Sequence, residues 1–244
     1  MKKTPKLLIL AGTVLAFLFL FGIIFYNNFI QKSIYEENSQ HLLSTYEQVD
    51  KTFTMFVQHN WNALSDWSNN LQYLDDAENM KTLWYEFARR KDAWQYQDFY
   101  MFNENCDFIT AAGRDGNAPN IQGIFLDMYE TGQPVISSYI ASDSNRRIVF
   151  ALPMDVPYTI NGITYSGLAV SYNNDVVEKL IAGNIYQGQS DCYILTSDGN
   201  VLLSLEPKTE FLQKISNLFD FLNKYTNMTE TEITDLKKNI KNVS

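Results

Sequence analysis

His41 and His59 are the only histidines of this 244-residue chain, and Cys106 and Cys192 its only cysteines. On one helix the two histidines would stand about 27 Å apart, at about 1.5 Å of rise per residue, so they cannot share a metal ion. The chain has no Cys/His cluster of zinc spacing, no glycine-rich loop ending in Lys-Ser or Lys-Thr to cradle phosphate, and no G-x-S-x-G nucleophile elbow. Carboxylates are abundant, yet no spacing singles out a catalytic pair. No catalysis, metal or cofactor is therefore expected of this chain. What stands out instead is a dense mixture of aromatic and polar residues: Trp94, Tyr96, Tyr100, Tyr129, Tyr139 and Tyr172, with Arg114, Asp115, Arg146 and Arg147 among them. Small-molecule pockets combine apolar walls with a few placed polar groups, and such residues supply both. The same aromatics also fill ordinary sheet cores, and Arg146-Arg147 also suits a surface pair at a strand start.

The bulk composition restricts the partners. An apolar content of 45% supports a packed core, and 19 basic against 28 acidic residues give a formal charge of -9. Such a balance repels phosphate backbones, so no nucleic-acid partner is expected. Nothing in the sequence places Cys106 near Cys192, and stability is expected from packing rather than from a disulfide.

Leu7 to Tyr26 carries no charge, and about 20 such residues in a helix cover the ~30 Å hydrocarbon core of a bilayer. Lys2, Lys3 and Lys6 precede it, whereas Lys32 on the other flank is followed by Glu36 and Glu37. The positive-inside bias then predicts a single-pass signal anchor at the cell membrane, with residues 1–6 cytoplasmic and the rest extracytoplasmic. A cleaved secretory signal would have a shorter apolar stretch and a small-residue cleavage site, which "IIFYNNFIQ" lacks.

Beyond the anchor, Leu42, Tyr46, Val49, Phe53, Phe56, Asn60, Leu64, Trp67, Leu71 and Leu74 alternate mostly by three and four, the seam of an amphipathic helix over about 28–73. Such a helix either pairs with a second subunit as a signalling stalk or covers one face of its own domain. A second helix is expected after Asp75-Asp76, ending near Arg89-Arg90-Lys91, so that helices occupy 27–93. From Trp94 the period changes. "DFYMF", "DFITAAG", "PVISSYIA", "RRIVFALPM" and "ITYSGLAVSY" read as five strands, with "NEN" and Asn161-Gly162 as turns and "NIQGIFLDMYETG" as a helix closed by Gly132. An antiparallel five-stranded sheet with flanking helices buries that pattern, giving an α+β chain. Asp175 begins a connecting helix that closes the 94–183 module at Gly183. "CYILTSDGNVLLS" then repeats "FYMFNENCDFIT" weakly, so that 184–244 reads as the start of a second, incomplete module with helices. Its hairpin is expected to be under-supported, leaning on the connecting helix and on the segment after Pro207.

This order resembles the double Cache sensor domains, whose two PAS-like modules hang from one long helix outside bacterial membranes. The likeness rests on "FYMFNENCDFITAAGRDGN", "ETGQPVISSYIA", "RRIVFALPM", "GITYSGLAVSYNNDVVEKLI" and "DCYILTSDGNVLLS". It implies an input domain of a membrane receptor, a sensor histidine kinase, diguanylate cyclase or chemoreceptor, whose first module binds a small extracellular ligand. Such a receptor is expected to be a homodimer through the long helix. Family members that bind amino acids usually place an Asp near the end of the strand aligned with "GLAVSY", where this chain has Ser171 and Tyr172; both are candidate ligand residues, and the departure puts amino-acid binding in doubt. The ending at Ser244, before the remaining strands and any output domain, reads as a fragment or a truncated product. The alternative is a surface structural or adhesive protein of pilin-like type, but the apolar helix lacks the processing site and early glutamate of a pilin.

Overall fold

The computed structural model describes residues 4–71, 85, 88–89, 95–110, 113–118, 122–181, 192–205 and 214–241, with backbone alone at 4–20, 22, 24 and 122. One compact unit comprises Met1–Lys51 and another Thr52–Ser244. Helix α1 runs from Thr4 to Leu71 without interruption, as expected of a stretch with no Gly or Pro between Asn28 and Leu71. Among the residues described with side chains no helix is long and apolar enough to cross a membrane, and most of the expected span, Leu7–Tyr26, lies outside them. The expected second helix lies outside the described residues except at 85, 88 and 89.

The second unit is built on a sheet of strands β1 (Asp98–Phe102), β2 (Asp107–Thr110), β3 (Asp115–Asn117), β4 (Val135–Ile140), β5 (Arg146–Ile160) and β6 (Ile163–Asn173), in the order β3-β2-β1-β6-β5-β4. All neighbouring strands are antiparallel. The sequence predicts five strands and the sheet has six. The added strand is Asp115-Gly116-Asn117. All three residues are exposed, so no apolar alternation announces them. The strand is held instead by Asn117, whose Nδ2 donates to Asn105 O at 2.7 Å and to Asp107 Oδ1 at 3.0 Å. The other turns match their sequence signals. Asn161 and Gly162 adopt φ of 52° and 82° between β5 and β6, the left-handed pair that a tight hairpin requires.

Period-two alternation divides the sheet into two faces. One carries Phe99, Phe150 and Tyr172 and receives residues 52–71 of α1. There the Phe56 ring lies 5.0 Å from that of Tyr172, Trp61 lies 5.3 Å from Phe150 and Trp67 lies 6.0 Å from Phe99. This part of the helix thus covers a face of its own domain, whereas Leu42 and Tyr46 upstream are exposed. The other face carries Tyr100, Phe102, Val149, Ala151 and Ala169 and packs on Phe125 and Met128 of helix α2 (Gln122–Thr131), which ends at Gly132 with φ of 63°.

Asn60, a polar residue in the apolar seam, is fully buried. Its Nδ2 donates to Phe56 O at 2.8 Å, and its Oδ1 accepts from the Tyr172 hydroxyl at 2.8 Å. Losing one partner of a buried hydrogen bond costs about 1–3 kcal/mol, while replacing both by apolar groups approaches neutrality. Asn60→Leu is expected to lower stability by that amount, and Asn60→Leu with Tyr172→Phe to recover most of it. Urea midpoints of the four proteins measure this, and strictly additive losses would show that the bond contributes nothing.

Helix α3 (Asn174–Ile181) leads to strands β7 (Cys192–Leu195) and β8 (Val201–Leu205), which pair only with each other among the described residues. Every residue of β8 is buried. Against the expectation of weak support, it is held by the elements predicted to carry it and by one that was not. Asn174 of α3 clamps Ser204, accepting from its N–H at 2.9 Å and donating to its carbonyl at 2.7 Å. Val201 N–H donates to Ser216 O at 2.9 Å, just before helix α4 (Leu218–Tyr225), which Asn217 caps. The unforeseen support is Arg146 of the sheet. Helix α5 (Glu230–Lys241) follows, with Thr229 and Glu232 bonded to each other as the capping-box pattern predicts.

Candidate functional site

A cavity of about 310 Å3 opens on the α2 side of the sheet, lined by Asp98, Tyr100, Phe108, Thr110, Arg114, Asp115, Ala118, Tyr139 and Arg147. The sheet register explains how distant residues meet there. Tyr100 pairs with Thr110 on one side, and Tyr139 pairs with Arg147 two strands away. Asp98 lies directly across from Ser171, and all of these point to the same face. The volume falls in the range of small-molecule sites.

Charge is concentrated at one wall. Arg114 Nη2 contacts Asp98 Oδ1 at 2.7 Å, and Arg147 Nη1 lies 3.9 Å from Asp98 Oδ2. Arg147 also reaches Asp143 at 3.1 Å. Burial works to lower the Arg147 guanidinium, but the Tyr139 hydroxyl and Asp143 outweigh it and raise it, so the cation is permanent. Burial first, then the charges of Tyr139 and Asp98, push the Tyr100 hydroxyl well above its usual range. Tyr100 therefore keeps its proton and remains a donor. Among the described residues of this face, the Tyr100 hydroxyl, Ser171 Oγ and Arg147 Nε are buried and make no hydrogen bond of good geometry, although Ser171 stands close enough to Tyr100 to act on its hydroxyl. Native interiors leave few polar groups unsatisfied, and each such atom calls for an explanation, a bound water, ion or functional role among them.

Of the residues singled out by sequence, the structure brings Tyr100, Arg114, Asp115, Tyr139 and Arg147 together around this cavity, with Ser171 beside Tyr100. Trp94 lies outside the described residues. Tyr96 and Tyr172 sit on the α1 side, their rings 5.0 Å apart. Tyr129 belongs to α2, where its hydroxyl donates to Phe102 O at 3.3 Å and accepts from Ser166 at 3.0 Å. Arg146, next in sequence to Arg147, points to the opposite face and is buried against the β7–β8 hairpin. Asp98, Phe108, Thr110 and Ala118 escaped sequence reading. Asp98 was within reach, since it stands two residues from Tyr100 in a strand and must share its face.

No protein-family model matches the chain, and no curated protein matches it in sequence. Solved structures do resemble it. The ligand-binding domain of the Pseudomonas fluorescens chemoreceptor CtaA, in complex with L-serine, superposes with a TM-score of 0.51 at 12% identity, covering 75% of this chain and 77% of that one. The sensor domain of the Vibrio cholerae histidine kinase DctB gives a TM-score of 0.50 at 12% identity, covering 85% and 76%. At this identity the likeness is one of fold: the chain shares the fold of these two receptor sensor domains.

Proposed function

We propose that the chain is the extracytoplasmic input region of a signal-transduction receptor, and that it binds a small molecule in the cavity between β1, β2, β4 and β5. The observation that carries this reading is a cavity lined by Tyr100, Tyr139 and Arg147, at whose wall the Tyr100 hydroxyl, the neighbouring Ser171 Oγ and Arg147 Nε hold unused hydrogen-bonding capacity. All three can donate, so the ligand presents acceptor atoms to this end of the cavity, while Phe108 and Tyr139 provide apolar surface and the Asp98–Arg114 pair closes the rim. Fold alone does not fix function, but the sensor-domain likeness is consistent with it.

In this reading Leu7–Tyr26 anchors the chain in the cell membrane with residues 1–6 in the cytoplasm, and the upstream part of α1 pairs with a second copy. Residues 94–183 form the ligand-binding module and 184–244 belong to a second one. The parent receptor is a histidine kinase, a diguanylate cyclase or a chemoreceptor, and this chain itself performs no catalysis.

A thermal-shift screen of amino acids, carboxylates, amines, nucleobases and sugars against the folded chain tests the proposal. A ligand present at 100 times its Kd contributes about 2.7 kcal/mol, several degrees of Tm in a domain of this size. The shift is expected to vanish in Arg147→Ala, to shrink in Tyr100→Phe and to persist in Tyr129→Phe. A shift that survives Arg147→Ala, or no shift from any compound on folded protein, would remove the support for this cavity.

A further inference from the structure

The tip of the β4–β5 hairpin carries two pairs of neighbouring residues that serve opposite faces. Tyr139 and Arg147 line the candidate pocket. Ser138 and Arg146, one residue earlier in each strand, face the other way, as alternation along a strand requires. There Arg146 Nη1 donates to Ser138 Oγ at 2.8 Å and to Val201 O at 2.7 Å, while Nη2 donates to Ile215 O. Ser138 Oγ donates to the same Val201 carbonyl. Val201 in turn is tied through its N–H to Ser216, immediately before Asn217 caps α4. Two side chains of the sheet therefore hold the start of β8 and the entry to the terminal helices at one point. A second cavity of about 300 Å3 borders this attachment, lined by Ser138, Arg146, Asn200, Val201 and Ser216. The attachment thus has open space beside it into which to shift.

We propose that the β4–β5 tip is a two-faced coupling element: displacement of Tyr139 and Arg147 by an occupant of the pocket is passed to Ser138 and Arg146, and changes how firmly they hold the β7–β8 hairpin and the start of α4. Strands are stiff along their length, and a residue cannot shift without moving its neighbour. The pocket-side ion pairs of Arg147 with Asp98 and Asp143 are the contacts that a ligand offering acceptors would compete for. The inference builds on the pocket reading for its biological sense. Its physical content stands apart, because the pocket side can be perturbed without any ligand.

Amide hydrogen exchange on the full chain tests it, with Arg147→Gln as the pocket-side probe and Ser138→Ala or Arg146→Lys as the attachment-side change. Coupling between sites typically amounts to 5-fold or more in an equilibrium. Arg147→Gln is expected to alter exchange at 201–205 and 218–222 by about 5-fold or more in the otherwise native chain, and by less than about 2-fold once Ser138 or Arg146 is replaced. Amides of 99–102 report that the sheet is intact in every variant, and Ser138→Ala, which removes one hydroxyl, provides a mild background if Arg146→Lys disturbs folding. Equal factors in native and replaced backgrounds, or no change at 201–205 from Arg147→Gln, would overturn the coupling. Either result leaves the ligand screen unaffected, and a failed screen leaves this cycle unaffected.

Discussion

Gly199→Ala is expected to destabilise the chain by about 3 kcal/mol, with the loss concentrated in the β7–β8 hairpin. Two costs add. Gly199 sits at φ of 82°, a region where an L side chain costs roughly 1–2 kcal/mol. A methyl group there would also run into the ring of Phe219. That ring is 2% exposed, with the Lys237 ammonium 5.0 Å from its centroid, so it has little freedom to retreat, and overpacking costs about 1–3 kcal/mol. The glycine is also fixed by its backbone: its N–H donates to Thr196 O at 2.9 Å and its carbonyl accepts from Leu218 N–H at 2.8 Å. Gly162 is the control, because it has the same φ of 82° with nothing within 4 Å of an added Cβ. Gly162→Ala should show only the conformational cost. Urea midpoints compare the two, and equal losses would mean that the Phe219 contact is irrelevant.

The consequence for function lies in how the hairpin is supported. With only two strands of its own it would be marginal in water, yet β8 is fully buried. The Asp198-Gly199 turn packs on α4, Asn174 clamps Ser204, and Arg146 and Ser138 hold Val201. The hairpin is therefore a dependent element whose stability is set by its neighbours, and dependent elements respond to changes in what holds them.

Local chemistry made most of the elements legible. Asn161-Gly162 and Gly132 are turn and cap signals whose conformations follow from the residues themselves, and the structure places them as read. The β3 strand was not legible because Asp115-Gly116-Asn117 has no apolar residue to set a period; it pairs because Asn117 reaches Asn105 and Asp107. The candidate site was legible as a composition and not as a geometry. Tyr100 and Tyr172 read alike in sequence, but the register of β1 on β6 turns one toward the cavity and the other toward α1. Arg146 and Arg147 read as one pair, but a period of two sends them to opposite faces. Alternation was available from the start. Which face would receive the helix was not, because that depends on residues 52–71 meeting strands distant in sequence, as Trp67 meets Phe99 and Phe56 meets Tyr172.

Gly167→Ala should also destabilise the chain, by about 1–2 kcal/mol, from the centre of the sheet. Gly167 lies directly across from Phe102, and a Cβ added to it would fall 2.5 to 2.9 Å from three atoms of that ring. Cross-strand aromatics commonly cover glycines in this way. Here the ring cannot give way. Phe102 is fully buried, stacked on Phe125 with centroids 3.7 Å apart and flanked edge-on by Tyr129 at 5.9 Å and Tyr100 at 6.4 Å. Alanine regains about 0.5–1 kcal/mol of backbone entropy relative to glycine, less than the overpacking cost of about 1–3 kcal/mol when close-packed rings block relaxation. Phe102→Leu in the same chain makes room for the methyl group, so the double variant should lose less than the sum of the single losses. Because Tyr100 both borders Phe102 and lines the cavity, Gly167→Ala should also weaken any ligand-dependent Tm shift, although residue 167 does not line the pocket. A near-neutral Gly167→Ala would show that Phe102 has a second position open to it, and would separate the packing of this cluster from the shape of the binding site.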